Sequence, residues 1–357
     1  MCFSSGSPAR RLGGGAQPAT NAQLVSFFGE TSALAAAETD AGYARAFGKS
    51  DVAAEQTVRE RLHDLAALQI PVELRLELEL TTVAGTEGLD TSAPLFTDLR
   101  FVWPPVDFAY DLPPYLLIRS RRDRIQTVST TLLRSDLSDV QIHQIERDAE
   151  RGGYSALVVR LGGVATYPSV VEEDDTYAGT LDLIAHEWTH QYLFFHPLGV
   201  RYFASPALTT INETVANMSG QELAAAIRAR FPLPSALVIH HSSAPPPDPS
   251  LDFDRTLHQL RIDVDALLAQ GKVTQAEQQM NATQRFLAQH GYYVDTINQA
   301  YFAFYGTYAN TTASTNPLGP ELASLRRRYT SLGAFIHAVQ NVTSVVDLKR
   351  LLAKLPR

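Results

Sequence analysis

Cysteine is almost absent from the sequence, because Cys2 is the only one among the 357 residues. This excludes an internal disulfide bond and any metal site built from several cysteine ligands. Histidine and carboxylate side chains remain, and the chain has 10 histidines and 38 acidic residues. A metal centre in this protein would therefore use nitrogen and oxygen ligands.

Long apolar runs are also missing, since no uninterrupted apolar stretch approaches the roughly 18 residues of a membrane span. The opening segment, Met1 to Asn21, lacks the apolar core of a signal peptide. We therefore expect a cytoplasmic protein without membrane association. The Gly/Ser/Pro-rich composition of this segment is typical of a tether, so the expectation changes to an extracytoplasmic or membrane-tethered protein if the N-terminus is truncated.

Positive charge is not in excess either. The formal net charge is −8, which argues against nucleic acid as a partner. Two short basic clusters, Arg119 to Arg124 and Arg326 to Arg328, are flanked by apolar residues and are interpreted as solvated ends of secondary-structure elements. With 45% hydrophobic and 19% charged residues, the composition is that of a folded globular protein, which we expect to be a monomer.

The first part of the chain is predicted to contain both helices and strands. Residues Ala22 to Leu68 are rich in Ala, Glu, Arg and Leu and predict two helices broken near Asp40 to Gly42. From Pro71 to Leu80 apolar and charged residues alternate with period two, which predicts a half-buried strand. Shorter strands are predicted at Leu99 to Trp103, Tyr115 to Arg119 and Ala156 to Leu161, and a helix at Asp139 to Arg151.

Helical patterns dominate the rest of the chain. Helices are predicted at Asp182 to Phe195, Thr210 to Arg230, Asp252 to Gln270, Val273 to His290 and Tyr293 to Tyr308. The predicted fold class is therefore α+β, with a mixed or antiparallel sheet and helices in the N-terminal part and a mainly helical C-terminal part.

One motif in the helical part carries chemistry, His186-Glu187-Trp188-Thr189-His190. Histidines four residues apart lie on one face of a helix, where both imidazoles can bind a single cation. The intervening Glu187 points beside the metal, where its carboxylate can take a proton from a water molecule. Zinc suits such ligands, so the motif predicts one Zn²⁺ ion with Glu187 as general base.

A catalytic zinc site normally has three protein ligands, and two residues compete for the third place. Glu213 lies on a second predicted helix, and the interval after His190 is long enough for that helix to fold back onto the first. His196 has the third-ligand spacing of the metzincin pattern, but Leu193 replaces the glycine with which that pattern breaks the helix. Glu213 is the favoured ligand and His196 the alternative.

The pair of motifs, His186-Glu187-x-x-His190 and Asn212-Glu213-x-x-Ala216, resembles the gluzincins, a group of zinc peptidases. It is most similar to bacterial proteins described as predicted aminopeptidases, and it extends from about Ala156 to Tyr308. The resemblance implies a zincin-like fold with the motif on its active-site helix and a peptide or protein substrate. Where thermolysin-like members have an aspartate that orients a zinc-bound histidine, this chain has Asn217, which can accept a weaker hydrogen bond.

The resemblance further implies a tyrosine or histidine that stabilises the oxyanion, and an edge strand that binds the substrate. Tyr301, Tyr305 and Tyr308 have helical spacing, and Tyr305 is the favoured catalytic residue because Gly306 follows it; an aromatic core stripe is the alternative for each. Gly162-Gly163 could admit a substrate backbone or form a simple turn. The aminopeptidase motif G-x-M-E-N is not found, so the choice between exopeptidase and endopeptidase stays open.

These elements predict five segments along the chain. They are a flexible segment at 1–21, an α/β subdomain at 22–155, a zinc-binding catalytic core at 156–235, a Pro-rich linker at 236–251 and a helical subdomain at 252–357. The leading hypothesis is a zinc peptidase. The alternative is a non-catalytic protein in which zinc braces two helices, which a fourth protein ligand such as His196 would favour.

Overall fold

The computed structural model describes residues 16–46, 50, 52–93, 96–172, 176–233, 237, 239–242, 244–292 and 294–354. The predicted flexible segment 1–21 lies outside these residues as far as residue 15, and residues 236, 238 and 243 of the predicted linker lie outside them too. The chain is α+β, as predicted. Within the described ranges, none of the helices combines the length and the apolar character needed to cross a membrane.

Two long helices come first, α1 (Asn21–Ala46) and α2 (Val52–Thr86). The predicted break near Asp40 to Gly42 is wrong, because α1 continues through these residues to Ala46. The buried residues Leu34, Ala37 and Ala41 share one face at spacings of three and four. Burial of this face stabilises the helix in spite of the locally unfavourable glycine.

The strand predicted from Pro71 to Leu80 is also wrong, because the whole segment belongs to α2. Val72, Leu76 and Leu80 are fully buried at helical intervals, whereas Leu78 is 55% exposed. Leu, Glu and Arg are good helix formers, so propensity favours the helix over the alternating pattern. The carboxylate of the buried Glu73 accepts a hydrogen bond from the Tyr110 backbone N–H at 2.8 Å, which compensates for its burial.

The strands of the described residues form three small sheets instead of one. In the first, β1 (Asp90–Ala93) pairs antiparallel with β2 (Phe96–Val102). The second has the order β5-β4-β6 and consists of β4 (Tyr115–Arg121), β5 (Thr127–Leu133) and β6 (Tyr154–Arg160), all antiparallel, with α3 (Asp139–Ala149) between β5 and β6 in the chain.

The third sheet is mixed and has the order β3-β8-β7. It consists of β3 (Phe108–Tyr110), β7 (Gly163–Val164) and β8 (Ser169–Val171). Strand β8 pairs parallel with β3 and antiparallel with β7. Within the described residues β7 pairs with β8 alone, so it is an edge strand of this sheet.

Helices make up most of the remaining chain, as predicted. They are α4 (Tyr177–Phe194), α5 (Pro197–Val200), a 3₁₀ turn (Tyr202–Ala204), α6 (Pro206–Arg230), α7 (Phe253–Ala269), α8 (Val273–Gln289), α9 (Gln299–Tyr305), α10 (Leu318–Arg326), α11 (Leu332–Val339) and α12 (Val345–Lys354). The helix predicted from Tyr293 to Tyr308 is too long. It begins after Asn298, which caps it by accepting a hydrogen bond from the Tyr301 N–H at 2.9 Å, and it ends before Gly306.

Two hydrophobic cores hold these elements together. The larger one combines the face of α2 around Leu76 with α4, α6 and α11, and includes Trp188, Ile211 and Phe335. In the smaller one, the β5-β4-β6 sheet packs through Ile118 on α7, α8 and α9. Each core contains residues from more than one of the predicted segments. The boundaries between those segments stay predictions.

Candidate metal centre

The motif with the two histidines lies on α4, whose two faces have different roles. Thr176 caps the helix by accepting a hydrogen bond from the Gly179 N–H at 2.9 Å. The opposite face is buried in the larger core, where the Trp188 indole N–H donates to the Pro104 carbonyl at 2.9 Å. This anchorage leaves the histidine-bearing face directed at α6.

Helix α6 carries Glu213 and lies unusually close to α4. A Cβ atom added at Gly220 would lie 2.7 Å from the Asp182 backbone oxygen and 3.3 Å from the His186 Cβ. Because a real side chain cannot occupy that space without a shift of the backbone, glycine is required for this approach. Gly220 follows Glu213 by about two helical turns, so the same face that touches α4 also presents the carboxylate.

The predicted ligands His186, His190 and Glu213 come together, and His196 does not. The two Nε2 atoms are 3.0 Å apart, and Oε2 of Glu213 lies 3.6 Å from Nε2 of His186 and 3.4 Å from Nε2 of His190. Among the described residues, these are the side chains whose ligand atoms are grouped closely enough for a cation. His196 instead stacks on Tyr192, with ring centroids 4.7 Å apart.

This triangle of atoms fits zinc. A tetrahedral Zn²⁺ with bonds of about 2.0–2.1 Å separates its ligand atoms by roughly 3.3 Å, close to the three observed distances. Two imidazoles and one carboxylate are also a usual ligand set for a catalytic zinc ion.

Asn212 orients one of the imidazoles. Its amide Nδ2 faces the Leu198 carbonyl at 3.5 Å, so Oδ1 is the atom that accepts from Nδ1 of His190, at 2.8 Å. With the proton on Nδ1, the neutral ring directs the lone pair of Nε2 at the other ligands. Such support is typical of histidines that bind metals, and it comes from the residue next to Glu213.

Without a metal, the site holds a proton. Burial lowers the pKa of His190, but the Glu213 carboxylate, with Glu187 and the hydrogen bond to Asn212, outweighs this effect and raises it to about 9. Burial opposes ionisation of Glu213 as well, and yet the two histidines hold its pKa well below the ordinary value. The metal-free pair is therefore an imidazolium and a carboxylate at neutral pH, and a cation would replace the proton.

Glu187 is 6% exposed and lies against strand β7. Burial raises the pKa of its carboxyl, and the charges of His186 and His190 oppose that rise. A Cβ atom on Gly163 would lie 2.6 Å from Oε1 of Glu187, so the backbone of β7 passes directly beside the carboxylate. Gln191 ties this region to α4, because its amide donates to Ser169 Oγ at 2.8 Å and to the Thr166 carbonyl.

Two tyrosines flank Glu213. The Tyr202 hydroxyl donates to Oε1 of Glu213, and its ring lies 6.1 Å from that of His190. The Tyr308 ring lies 6.0 Å from that of His186. Burial, followed by the charges of Glu213 and Glu187, raises the pKa of Tyr308 well above its ordinary value. Both phenols are therefore neutral hydrogen-bond donors.

Tyr305 and Asn217 have other neighbours. The Tyr305 ring packs on Tyr301 at 4.5 Å and is 36% exposed, and its catalytic role stays a prediction. Of the tyrosines that the sequence predicts, Tyr308 has its ring beside His186, and it follows the end of α9. Asn217 donates to Oδ1 of Asn310 at 3.0 Å, while Nδ1 of His190 donates to Oδ1 of Asn212. Support of a metal-bound histidine by Asn217 stays a prediction.

Two residues of the site escaped the sequence reasoning in these roles, Asn212 and Tyr202, whereas Tyr308 was a candidate to which Tyr305 was preferred. Asn212 stood in the motif beside Glu213, one helical position away, and could have been found by asking which side chain reaches the second histidine. Tyr202 lies in a short irregular connection, where no periodicity points to it.

No family model matches the chain, and no curated protein or solved structure is significantly similar to it.

Proposed function

We propose that this protein is a zinc-dependent peptidase of the gluzincin type, with a zincin-like active site and one Zn²⁺ held by His186, His190 and Glu213. The observation that carries the proposal is the position of Glu187. Its buried carboxyl lies close enough to His186, His190 and Glu213 for their charges to change its pKa, and it also lies beside the edge strand β7. A general base between a metal site and a strand edge is the arrangement that hydrolysis of an extended peptide requires.

Zinc bound at this site would lower the pKa of a water molecule to about 7 and polarise the carbonyl of the substrate. Glu187 takes a proton from that water while the water oxygen attacks the scissile carbonyl carbon. The same carboxyl group then delivers the proton to the leaving amine nitrogen, so the glutamate ends in its original ionised form. Its raised pKa supports this double role, because a carboxyl that is too acidic would return the proton poorly.

Tyr308 is the favoured donor to the oxyanion, in place of Tyr305. Its phenol is neutral and buried, and it lies near His186 and the carboxylates of Glu213 and Glu187. A neutral donor held in a buried site stabilises developing negative charge without reorganisation of solvent. The Tyr202 hydroxyl donates to Oε1 of Glu213, and the Tyr308 phenol also interacts with that carboxylate; Tyr308 is favoured because it belongs to the C-terminal tyrosines that the gluzincin resemblance implies.

The substrate is proposed to be a peptide or protein segment in extended conformation. The outer edge of β7 can add such a segment through backbone hydrogen bonds. Because Gly163 has no side chain, the backbone of β7 lies close to Glu187, and a segment added to β7 lies near this carboxylate as well. Turnover of peptides with blocked and with free N-termini would distinguish endopeptidase from exopeptidase action.

The decisive experiment compares the wild type with Glu187→Gln, and uses Glu60→Gln on the exposed face of α2 as the matched control. We expect Glu187→Gln to keep its zinc and to lose activity by at least about 100-fold, because a general base contributes that much. Glu60→Gln should match the wild type in both measurements. Unchanged peptide turnover in Glu187→Gln would contradict the proposal.

The non-catalytic alternative has one observation in its favour. Glu187 and Glu213 are only 6% and 8% exposed, and two phenols lie close to Glu213, as in a site closed to substrate. A wild-type protein that binds zinc, unfolds at a lower temperature without it and cleaves no peptide of a random library would support this alternative.

A further inference from the structure

The two oxygens of the Glu213 carboxylate have different partners. Oε2 faces the metal position, 3.6 Å and 3.4 Å from the Nε2 atoms of His186 and His190. Oε1 is turned away and accepts the hydrogen bond of the Tyr202 hydroxyl. Tyr202, which lies outside the two ligand helices, therefore binds the oxygen that is turned away from the histidines and leaves Oε2 for a cation.

Tyr202 is itself held in place from several sides. It opens the 3₁₀ turn between α5 and α6, and the Thr209 hydroxyl donates to its backbone carbonyl at 2.6 Å. Its ring makes an edge contact with His190 at 6.1 Å, and another with Phe203 at 4.6 Å. The phenol is thus aimed at Glu213 by its own backbone as well as by its neighbours.

A carboxylate can bind a metal through one oxygen or through both. Binding through both oxygens would fill a coordination position that a catalytic zinc site keeps open for water. A hydrogen bond to the outer oxygen stabilises the one-oxygen mode, and partners of this kind commonly change metal affinity by about 10- to 100-fold.

We propose that Tyr202 is a positioning residue that holds Glu213 in the one-oxygen mode, and thereby sets both the coordination number and the affinity of the metal. The inference rests on the metal site of the proposed function, but it needs neither peptidase activity nor a particular substrate. It makes Tyr202 part of the metal centre, although it donates no atom to the ion.

The test replaces Tyr202 by phenylalanine, which removes the hydroxyl and keeps the ring. Tyr192→Phe is the matched control, because it loses a hydroxyl that donates to Gln340 Oε1 at 2.8 Å, on another face of α4. Zinc affinity is measured by competition with a chromogenic chelator. Coordination is followed by the visible absorption of the Co²⁺-substituted protein, which is stronger for four-coordinate than for five-coordinate cobalt.

For Tyr202→Phe we expect zinc to bind about 10- to 100-fold more weakly and the cobalt absorption to fall, with Tyr192→Phe unchanged in both. Thr209→Val removes the hydrogen bond to the Tyr202 backbone carbonyl. It should lower zinc affinity and cobalt absorption as well, but by less than Tyr202→Phe does. Affinity and spectrum identical to the wild type in a folded Tyr202→Phe protein would overturn the inference alone. A wild type that binds neither metal would overturn it together with the proposed function.

Discussion

The ligands of the candidate metal centre and the tyrosines around them are held by different kinds of structure. His186, His190 and Glu213 lie on α4 and α6, two long helices whose opposite faces are buried in the larger core. Tyr202 and Tyr308 lie on short turns, and a few hydrogen bonds hold those turns. The positions of the three ligands therefore depend on helix packing, whereas the positions of the two phenols depend on single polar contacts.

The backbone after Tyr308 shows how such a turn is fixed. The Ala309 N–H donates to the Thr214 hydroxyl at 3.0 Å, and Asn217 Nδ2 donates to Asn310 Oδ1 at 3.0 Å. Both partners stand on α6, within about one helical turn of Glu213. The phenol is therefore positioned by the same helix that carries the third ligand.

Removal of the Tyr308 hydroxyl should have the largest effect of the substitutions that separate these two regions. For Tyr308→Phe we expect kcat to fall by about 10²- to 10³-fold, the usual loss for one oxyanion donor, with zinc content unchanged. Peptide turnover and metal analysis on the same samples measure both. Tyr305→Phe is the control, and a change of at most a few-fold is expected; a larger loss there than in Tyr308→Phe would restore Tyr305 as the catalytic residue.

A methyl group added at Gly220, between α4 and α6, should instead lower the stability of the protein and its affinity for zinc. For Gly220→Ala we expect the free energy of unfolding to fall by about 1–3 kcal/mol, because the added carbon meets the Asp182 backbone oxygen. The better helix propensity of alanine offsets at most about 1 kcal/mol of this loss. Zinc should also bind more weakly, because Glu213 moves away from the histidines.

Gly29→Ala provides the matched control, since a Cβ atom at this position in α1 meets nothing within 4 Å. It should gain up to about 1 kcal/mol from helix propensity alone. Chemical denaturation of the metal-free proteins gives both values. Equal stabilisation by the two substitutions would show that the close approach of α4 and α6 does not require glycine.

The same contrast explains which parts of the fold and of the site could be predicted from the sequence. The pairing of His186 with His190 was predictable because helical spacing is a local property. Glu213 was favoured because the interval after His190 allows a second helix to fold back onto the first. The segment from Pro71 to Leu80 was assigned to a strand because its alternation is compatible with both structures, and only the packing of Leu76 against the core distinguishes them. Tyr308 was a candidate, but the sequence favoured Tyr305; α9 ends before Tyr308, so helical spacing does not describe where its side chain lies.

The smallest effect is expected for the hydrogen bond between Asn217 on α6 and Asn310 in the turn after Tyr308. Asn217→Ala removes the hydrogen bond to Asn310, and a net loss of about 0.5–1.5 kcal/mol corresponds to a fall in kcat of roughly tenfold or less. If Asn217 acts by positioning Tyr308, the loss should disappear in the Tyr308→Phe background, because no hydroxyl is left to position. A loss of equal size in both backgrounds, or one that follows a loss of zinc, would instead assign Asn217 to the support of a zinc-bound histidine, the role that the sequence predicts for it.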